Sequence, residues 1–154
     1  MKKNKTTLIM VLFFFIGLAI LLYPSISNFY NQKVQSKAII DYESILNNIK
    51  KEDYTDYFNK ADEYNKKLLS MKRPLLTYKN IKNYNKILNL NDHGMMGYLT
   101  IDKIKVELPI YHGTSADVLN KAVGHLEGTS LPVGGKGTHS VLSAHRGLPS
   151  FKLF

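Results

Sequence analysis

From Leu8 to Tyr23 the chain carries an apolar run interrupted only by Gly17 and Ala19, with Lys2, Lys3 and Lys5 ahead of it. In hydrocarbon every backbone N–H and C=O must be satisfied within the segment itself, so a run of this kind has a helix as its one open conformation. It is long for the core of a signal peptide and slightly short of the roughly 20 residues a spanning helix needs. An uncleaved signal anchor, a cleaved signal peptide and a buried core helix are the three readings. The anchor is favoured because no convincing small-x-small cleavage site follows; Ser25-Ile26-Ser27, directly behind Pro24, comes nearest. The lysines hold the N-terminus in the cytoplasm under the positive-inside bias. Everything beyond Tyr23 is then extracytoplasmic, on a single-pass protein of the cell membrane.

Charge narrows the partners. Lys and Arg total 21 against 12 Asp and Glu, a formal net charge of +9, and Arg73 and Arg146 are the only arginines. Readers of nucleic acid rely on arginine for bidentate base and phosphate contacts, so this lysine-dominated surplus argues against a nucleic-acid partner. Most of it lies before residue 94, where it serves as a solvated basic surface or faces anionic lipid or an anionic cell wall. The sequence contains no cysteine, which excludes disulfides and thiolate metal sites.

The hydrophobic period changes once along the chain. From about Ser36 to Leu69 apolar residues recur at helical spacing (Ile39, Tyr42, Ile45, Leu46, Ile49, then Tyr57, Phe58, Ala61, Tyr64, Leu68). The pattern predicts an amphipathic helix, or a pair broken near Asp53-Tyr54-Thr55, beyond a break at Pro24. Arg73-Pro74 ends it, and Tyr78 to Asp92 reads as a connector rich in lysine and asparagine. After Gly94 the period becomes two. Ile104, Val106, Leu108 and Ile110 alternate with Lys105, Glu107, Pro109 and Tyr111, which predicts a strand with one buried face. A shorter strand covers Gly97 to Ile101, with the turn at Asp102-Lys103. Pro109 lacks an amide donor and is expected on an edge or at a bulge. Ser115 caps a short helix through Val118, Leu119 and Ala122. A tight loop, Pro132 to Gly137, leads into a strand from Thr138 to Ala144.

That last strand delivers a histidine to its end. His145 stands where the chain turns through Arg146-Gly147-Leu148-Pro149, a place from which an imidazole acts as a general acid or pairs with a thiolate. On the residues alone a satisfied structural histidine is the commoner role. His93, His112, His125 and His139 show no metal-ligand spacing, so turn or strand roles are expected for them, with no metal and no cofactor. Ser143 lacks a Gly-x-Ser-x-Gly elbow, and Gly134-Gly135-Lys136-Gly137 falls short of a phosphate loop.

The ordered motifs shift the balance towards chemistry. Gly97-Tyr98-Leu99-Thr100-Ile101-Asp102-Lys103-Ile104, Leu108-Pro109-Ile110-Tyr111-His112-Gly113-Thr114, Gly124-His125-Leu126-Glu127-Gly128-Thr129-Ser130-Leu131-Pro132-Val133-Gly134-Gly135 and Ser143-Ala144-His145-Arg146-Gly147-Leu148-Pro149 follow one another over residues 95–154. Together they resemble a class C, pilus-type sortase of Gram-positive bacteria. The resemblance implies a membrane-tethered cysteine transpeptidase, with His145 as the catalytic histidine. It implies sorting-signal-bearing pilins or surface proteins as substrates, cut at an LPxTG-like motif and joined to a pilin lysine or a cell-wall amine. The cysteine and arginine that complete such a site find no match here, and Arg146 is not that arginine. Lys72-Arg73-Pro74-Leu75-Leu76-Thr77-Tyr78 lacks the Asp-Pro-aromatic motif of the family's lid, which puts a lid in doubt.

The expectation is a mainly β fold, the N-terminal part of a sortase-type barrel, preceded by a transmembrane helix and an amphipathic helical segment. Its parts are a cytoplasmic tip and anchor (1–23), a helical region and connector (24–93) and a truncated barrel domain (94–154). Lacking the nucleophile, the chain is expected to be inactive alone. A non-enzymatic membrane-tethered remnant and one half of a split sortase are the alternatives.

Overall fold

The computed structural model describes residues 2–90 and 93–147. The connector's end at residues 91–92 and the Leu148-Pro149 part of the histidine motif lie outside the described residues.

Two long helices come first, α1 (Lys2–Asn48) and α2 (Lys51–Leu69), followed by the single turn α3 (Pro74–Thr77). Pro24 lies inside α1, so the break expected there is absent. A proline costs a helix one intrahelical hydrogen bond without obliging it to end, and here the helix runs through. The helical pair does exist, broken four residues earlier than the pattern suggests. Lys50 is extended (φ −71°, ψ 151°), and Asp53 to Thr55 belong to the start of α2. The Tyr54 hydroxyl donates to the Leu46 carbonyl at 2.7 Å, satisfying an acceptor that the end of α1 leaves open.

The sheet holds β1 (Met95–Ile101), β2 (Val106–His112), β3 (Val123–His125) and β4 (Leu142–Ser143) in that spatial order, with α4 (Ala116–Leu119) crossing between β2 and β3. β1 and β2 are antiparallel, β2 and β3 parallel, β3 and β4 antiparallel. With α1 at 47 residues and α2 at 19 against strands of 7, 7, 3 and 2, the described chain is a helix-rich α+β structure, not mainly β.

Three strand expectations are corrected. Ile104 sits in a 3-10 turn, Asp102–Ile104, and is exposed instead of opening the buried face. Pro109 is not on an edge strand, since β2 is flanked on both sides. It lies opposite Tyr98, one residue before the ladder to β3 begins at Ile110↔Val123, so on that side there is no bond for the ring to break. The strand over 138–144 shrinks to Leu142–Ser143, because the chain opposite it turns at Leu126–Thr129 and offers no regular ladder. Side chains replace it. Ser130 takes the His139 carbonyl with its amide (2.9 Å) and the His139 amide with its hydroxyl (3.2 Å). Ser115 does occupy the N-cap of α4, but its side chain makes no capping bond and the helix stops at Leu119.

The two helices supply the layer that covers this small sheet. Ala61, Tyr64 and Leu68 of α2 pack with Met96, Leu108, Ile110, Val123 and Leu131, and Ile39 and Tyr42 of α1 pack with Met95. Phe58, expected on that seam, is exposed. The connector is more than a linker, for Tyr84 enters the core and Ile81, Ile87 and Leu88 pack around it.

Where β3 passes the end of β2, only glycine fits. A Cβ on Gly124 would lie 2.4 Å from the Gly113 carbonyl oxygen, which is backbone and cannot swing aside. Gly124→Ala is expected to lower the melting midpoint of the full chain in detergent by the equivalent of about 1–3 kcal/mol. An unchanged midpoint would contradict the close approach.

Candidate functional site

His145 lies two residues past β4, exposed to solvent. Leu142 and Ala144 pack against the core, so the alternation of an extended chain turns the next position, 145, towards the other face. No hydrogen bond or ion pair engages its ring among the described residues. β4 is the last strand of the sheet, and no described strand pairs with its outer side. The imidazole therefore stands at an open sheet edge.

What fixes that edge is a buried polar cluster behind it. His125 is fully buried in β3, with Nε2 2.8 Å from the Ser130 carbonyl oxygen and Nδ1 2.8 Å from the Tyr84 hydroxyl. A carbonyl only accepts, so Nε2 carries the proton and Nδ1 accepts from Tyr84. The Tyr84 oxygen in turn accepts from the Gly113 amide at 3.1 Å. Thr129 extends the cluster outward, donating to the Leu126 carbonyl at 2.7 Å and accepting from the Val141 amide at 3.2 Å. Val141 directly precedes β4, so this network sets the height at which His145 emerges.

His112 closes the other end. Its Nδ1 lies 2.8 Å from the Gly94 carbonyl oxygen and its Nε2 2.7 Å from that of Ile87, tying the connector to the start of β1. Its ring meets Tyr84 edge-on, with centroids 5.0 Å apart. Burial holds the His125 imidazole below its ordinary pKa of 6.5, against the pull of the Ser130 hydrogen bond, and neighbouring His112 adds to the lowering. Burial also raises the Tyr84 phenol well above its usual range, so it remains a donor.

Strand and turn roles for His112 and His125 fit these contacts, and His139 is exposed at a backbone pairing with Ser130. Among the described residues no three His, Cys, Asp or Glu side chains gather where they could hold a metal. Tyr84 was invisible to pattern reading. It lies in a polar stretch with no periodicity, and the one hint was a tyrosine among lysines and asparagines. A groove of about 370 Å³ runs beside the edge, lined by Leu68, Met71, Leu75, Thr129, His139 and Val141. His145 does not line it.

The chain is similar to sortases. Residues 99–154 match the sortase domain family. Sortase C1 from Streptococcus agalactiae is 44% identical with a TM-score of 0.65, the match covering 77% of this chain and 62% of that one. Sortase C from Streptococcus pneumoniae, whose structure is reported with pilin substrate specificity, is 36% identical with a TM-score of 0.64, covering 77% and 60%. Sortase C from Clostridium perfringens is 43% identical with a TM-score of 0.54, covering 71% and 58%. The chain thus spans about 60% of the length of these relatives. No curated protein is a match in sequence.

Two outcomes follow from the buried cluster. The folded state favours neutral His125, so the unfolded chain binds more protons below pH 6.5, and stability is full above that pH and lost as pH falls beneath it. The melting midpoint should fall on acidification from pH 7.5 to 5, and His125→Asn should flatten that slope; equal slopes would contradict the assignment. Tyr84→Phe strands His125 Nδ1 and the Gly113 amide, and is expected to cost about 1–3 kcal/mol in denaturant unfolding of the full chain.

Residues 99–154 thus match the sortase domain, and the solved structures that the chain resembles are class C sortases.

Proposed function

We propose that this chain provides the histidine-bearing half of a sortase-type cysteine transpeptidase, held by α1 in the cell membrane with its sheet on the extracytoplasmic side. The observation that carries this reading is the exposed His145 directly beyond the open edge of β4, in a sheet matched to class C sortases. Further strands of a sortase barrel would pair along that edge and bring a thiol beside the imidazole. The thiolate attacks the carbonyl carbon of the scissile Thr–Gly bond in an LPxTG-like sorting signal. The imidazolium of His145 then gives its proton to the departing glycine amine as the C–N bond breaks. An amine from a pilin lysine or the cell wall attacks the thioester and frees the thiol. Sorting-signal-bearing pilins or surface proteins are the substrates in this reading.

None of these 154 residues is a cysteine, so the thiol for this chemistry comes from outside them. α1 is long and apolar enough to cross a bilayer, which agrees with a membrane-tethered enzyme.

The purified full chain should leave a fluorogenic sorting-signal peptide and an acceptor amine unchanged. Adding a cysteine-bearing polypeptide that covers the remaining strands of a class C sortase should yield transpeptidation. His145→Ala should lower that rate by about 10²–10⁴-fold, the range general acid–base groups contribute. Turnover by the chain alone that is lost in His145→Ala would overturn the proposal.

A further inference from the structure

Helix α1 is continuous from its apolar stretch into the folded unit, which places the sheet close to the bilayer. Its large hydrophobes remain exposed past Tyr23, with Ile26, Phe29 at 71% and Tyr30 at 66%. Leu8 to Tyr30 spans about 34 Å at 1.5 Å per residue, enough for the roughly 30 Å of hydrocarbon plus an aromatic edge at the headgroups. Packing begins almost at once. Gln35 is buried and its amide donates to the Lys121 carbonyl at 2.6 Å. Tyr30 and Gln35 are separated by about 7.5 Å of helix axis.

The contacts along α1 fix which part of the sheet faces down. A cleft of about 330 Å³ between α1 and the start of β2 is lined by Gln32, Gln35, Ser36, Lys105, Val106 and Glu107. Higher on the helix, the Tyr42 hydroxyl donates to the Met96 carbonyl at 3.0 Å, and Tyr98 donates to Glu43 at 2.9 Å. The β1–β2 hairpin therefore points its turn back towards the apolar end of α1. That turn is Asp102-Lys103-Ile104-Lys105, tight enough to put Lys105 at φ 52°. Ile104 is 52% exposed and is the one large hydrophobe of the described sheet region (residues 95–147) that stands in solvent.

We infer that the Lys103-Ile104-Lys105 turn is a lipid-contacting tip, which sets Ile104 among the headgroups of the membrane that α1 crosses and pairs its lysines with anionic lipid. The inference rests on the spanning role proposed for α1. Lys33, three residues past Tyr30, lies on the same side of the chain's exit from the bilayer and is exposed, as are Lys103 and Lys105. Asp102 and Glu107 flank the turn and offset part of this charge. Lys105 shares its cleft with Gln32 and Gln35. Those residues lie about 3–7.5 Å of helix axis past Tyr30, a span within one Debye length at physiological ionic strength, so the turn's lysines feel the surface potential of anionic lipid. The contact would hold the unit in one orientation, and with it the height of the β4 edge above the membrane.

The lack of cysteine allows single labels in the full chain. An environment-sensitive fluorophore is placed at Ile104→Cys, at Ile16→Cys within the apolar stretch, or at Asn47→Cys, exposed about 25 Å further along α1 than Tyr30. Each protein is reconstituted in vesicles of phosphatidylcholine alone or with phosphatidylglycerol. The label at position 104 should be quenched by spin-labelled lipid, more strongly with phosphatidylglycerol, while position 47 remains aqueous. Neutralising Lys103→Gln or Lys105→Gln should weaken the contact about five-fold each, the equivalent of about 1 kcal/mol per lysine. A lipid-buried label at 16 with an aqueous label at 104 in both vesicles overturns the tip and leaves the span standing. An aqueous label at 16 overturns the span and the tip together. Contact at 104 that ignores both phosphatidylglycerol and the lysine substitutions overturns the pairing with anionic lipid.

Discussion

The hydrogen bond from the Tyr84 hydroxyl to His125 Nδ1 is the contact on which the rest of this structure leans. A sheet this narrow cannot bury both of its faces or satisfy its own polar groups, and a buried imidazole without partners would cost more than its packing returns. Tyr84 resolves this from outside the sheet. Its ring fills the core beside Tyr64 while its oxygen serves His125 and the Gly113 amide. The connector thereby becomes a structural element. With His112 bridging Ile87 and Gly94, it locks the helical layer to the strands at two points, and Asn65 of α2 adds a third by accepting from the Leu131 amide at 2.8 Å.

From that hub the consequences run outward to the candidate site. Ser130 and Thr129 follow His125 through one turn, and their side chains hold His139 and Val141 where a backbone ladder is missing. The short strand β4 and the exposed His145 depend on those bonds. In the proposed function the buried histidine is a positioning residue and the exposed one is the chemical group. The division follows from burial, since His125 is sealed from solvent and His145 is open to it.

Periodicity made the major elements legible, and long-range polar contacts hid the rest. The helical spacing of Ile39, Tyr42, Ala61, Tyr64 and Leu68 named residues that are buried, and the alternation through Leu108 and Ile110 named a strand. The ordered motifs up to Ser143-Ala144-His145 pointed to the family. Ile104 misled because a pattern of period two does not reveal where a turn ends and a strand begins. Thr138 to Ala144 misled because a run that alternates becomes a strand only if its neighbour extends too, and here the neighbour turns. Pro24 misled because a proline costs a helix one hydrogen bond without obliging it to end. Tyr84 gave no pattern at all, since its partners are 29 and 41 residues away.

The helical layer and the Tyr84–His125 hub hold the sheet, and His145 rides on its least supported edge. Residue-resolved hydrogen exchange of the full chain in detergent micelles tests this most directly. The amides of Leu108, Ile110, Val123 and Leu131 should exchange slowest, that of Val141 at an intermediate rate, and those of Ala144 and His145 fastest. If the β1–β3 amides exchange as fast as those at 144–145, the helices do not support the sheet. That result would contradict the account.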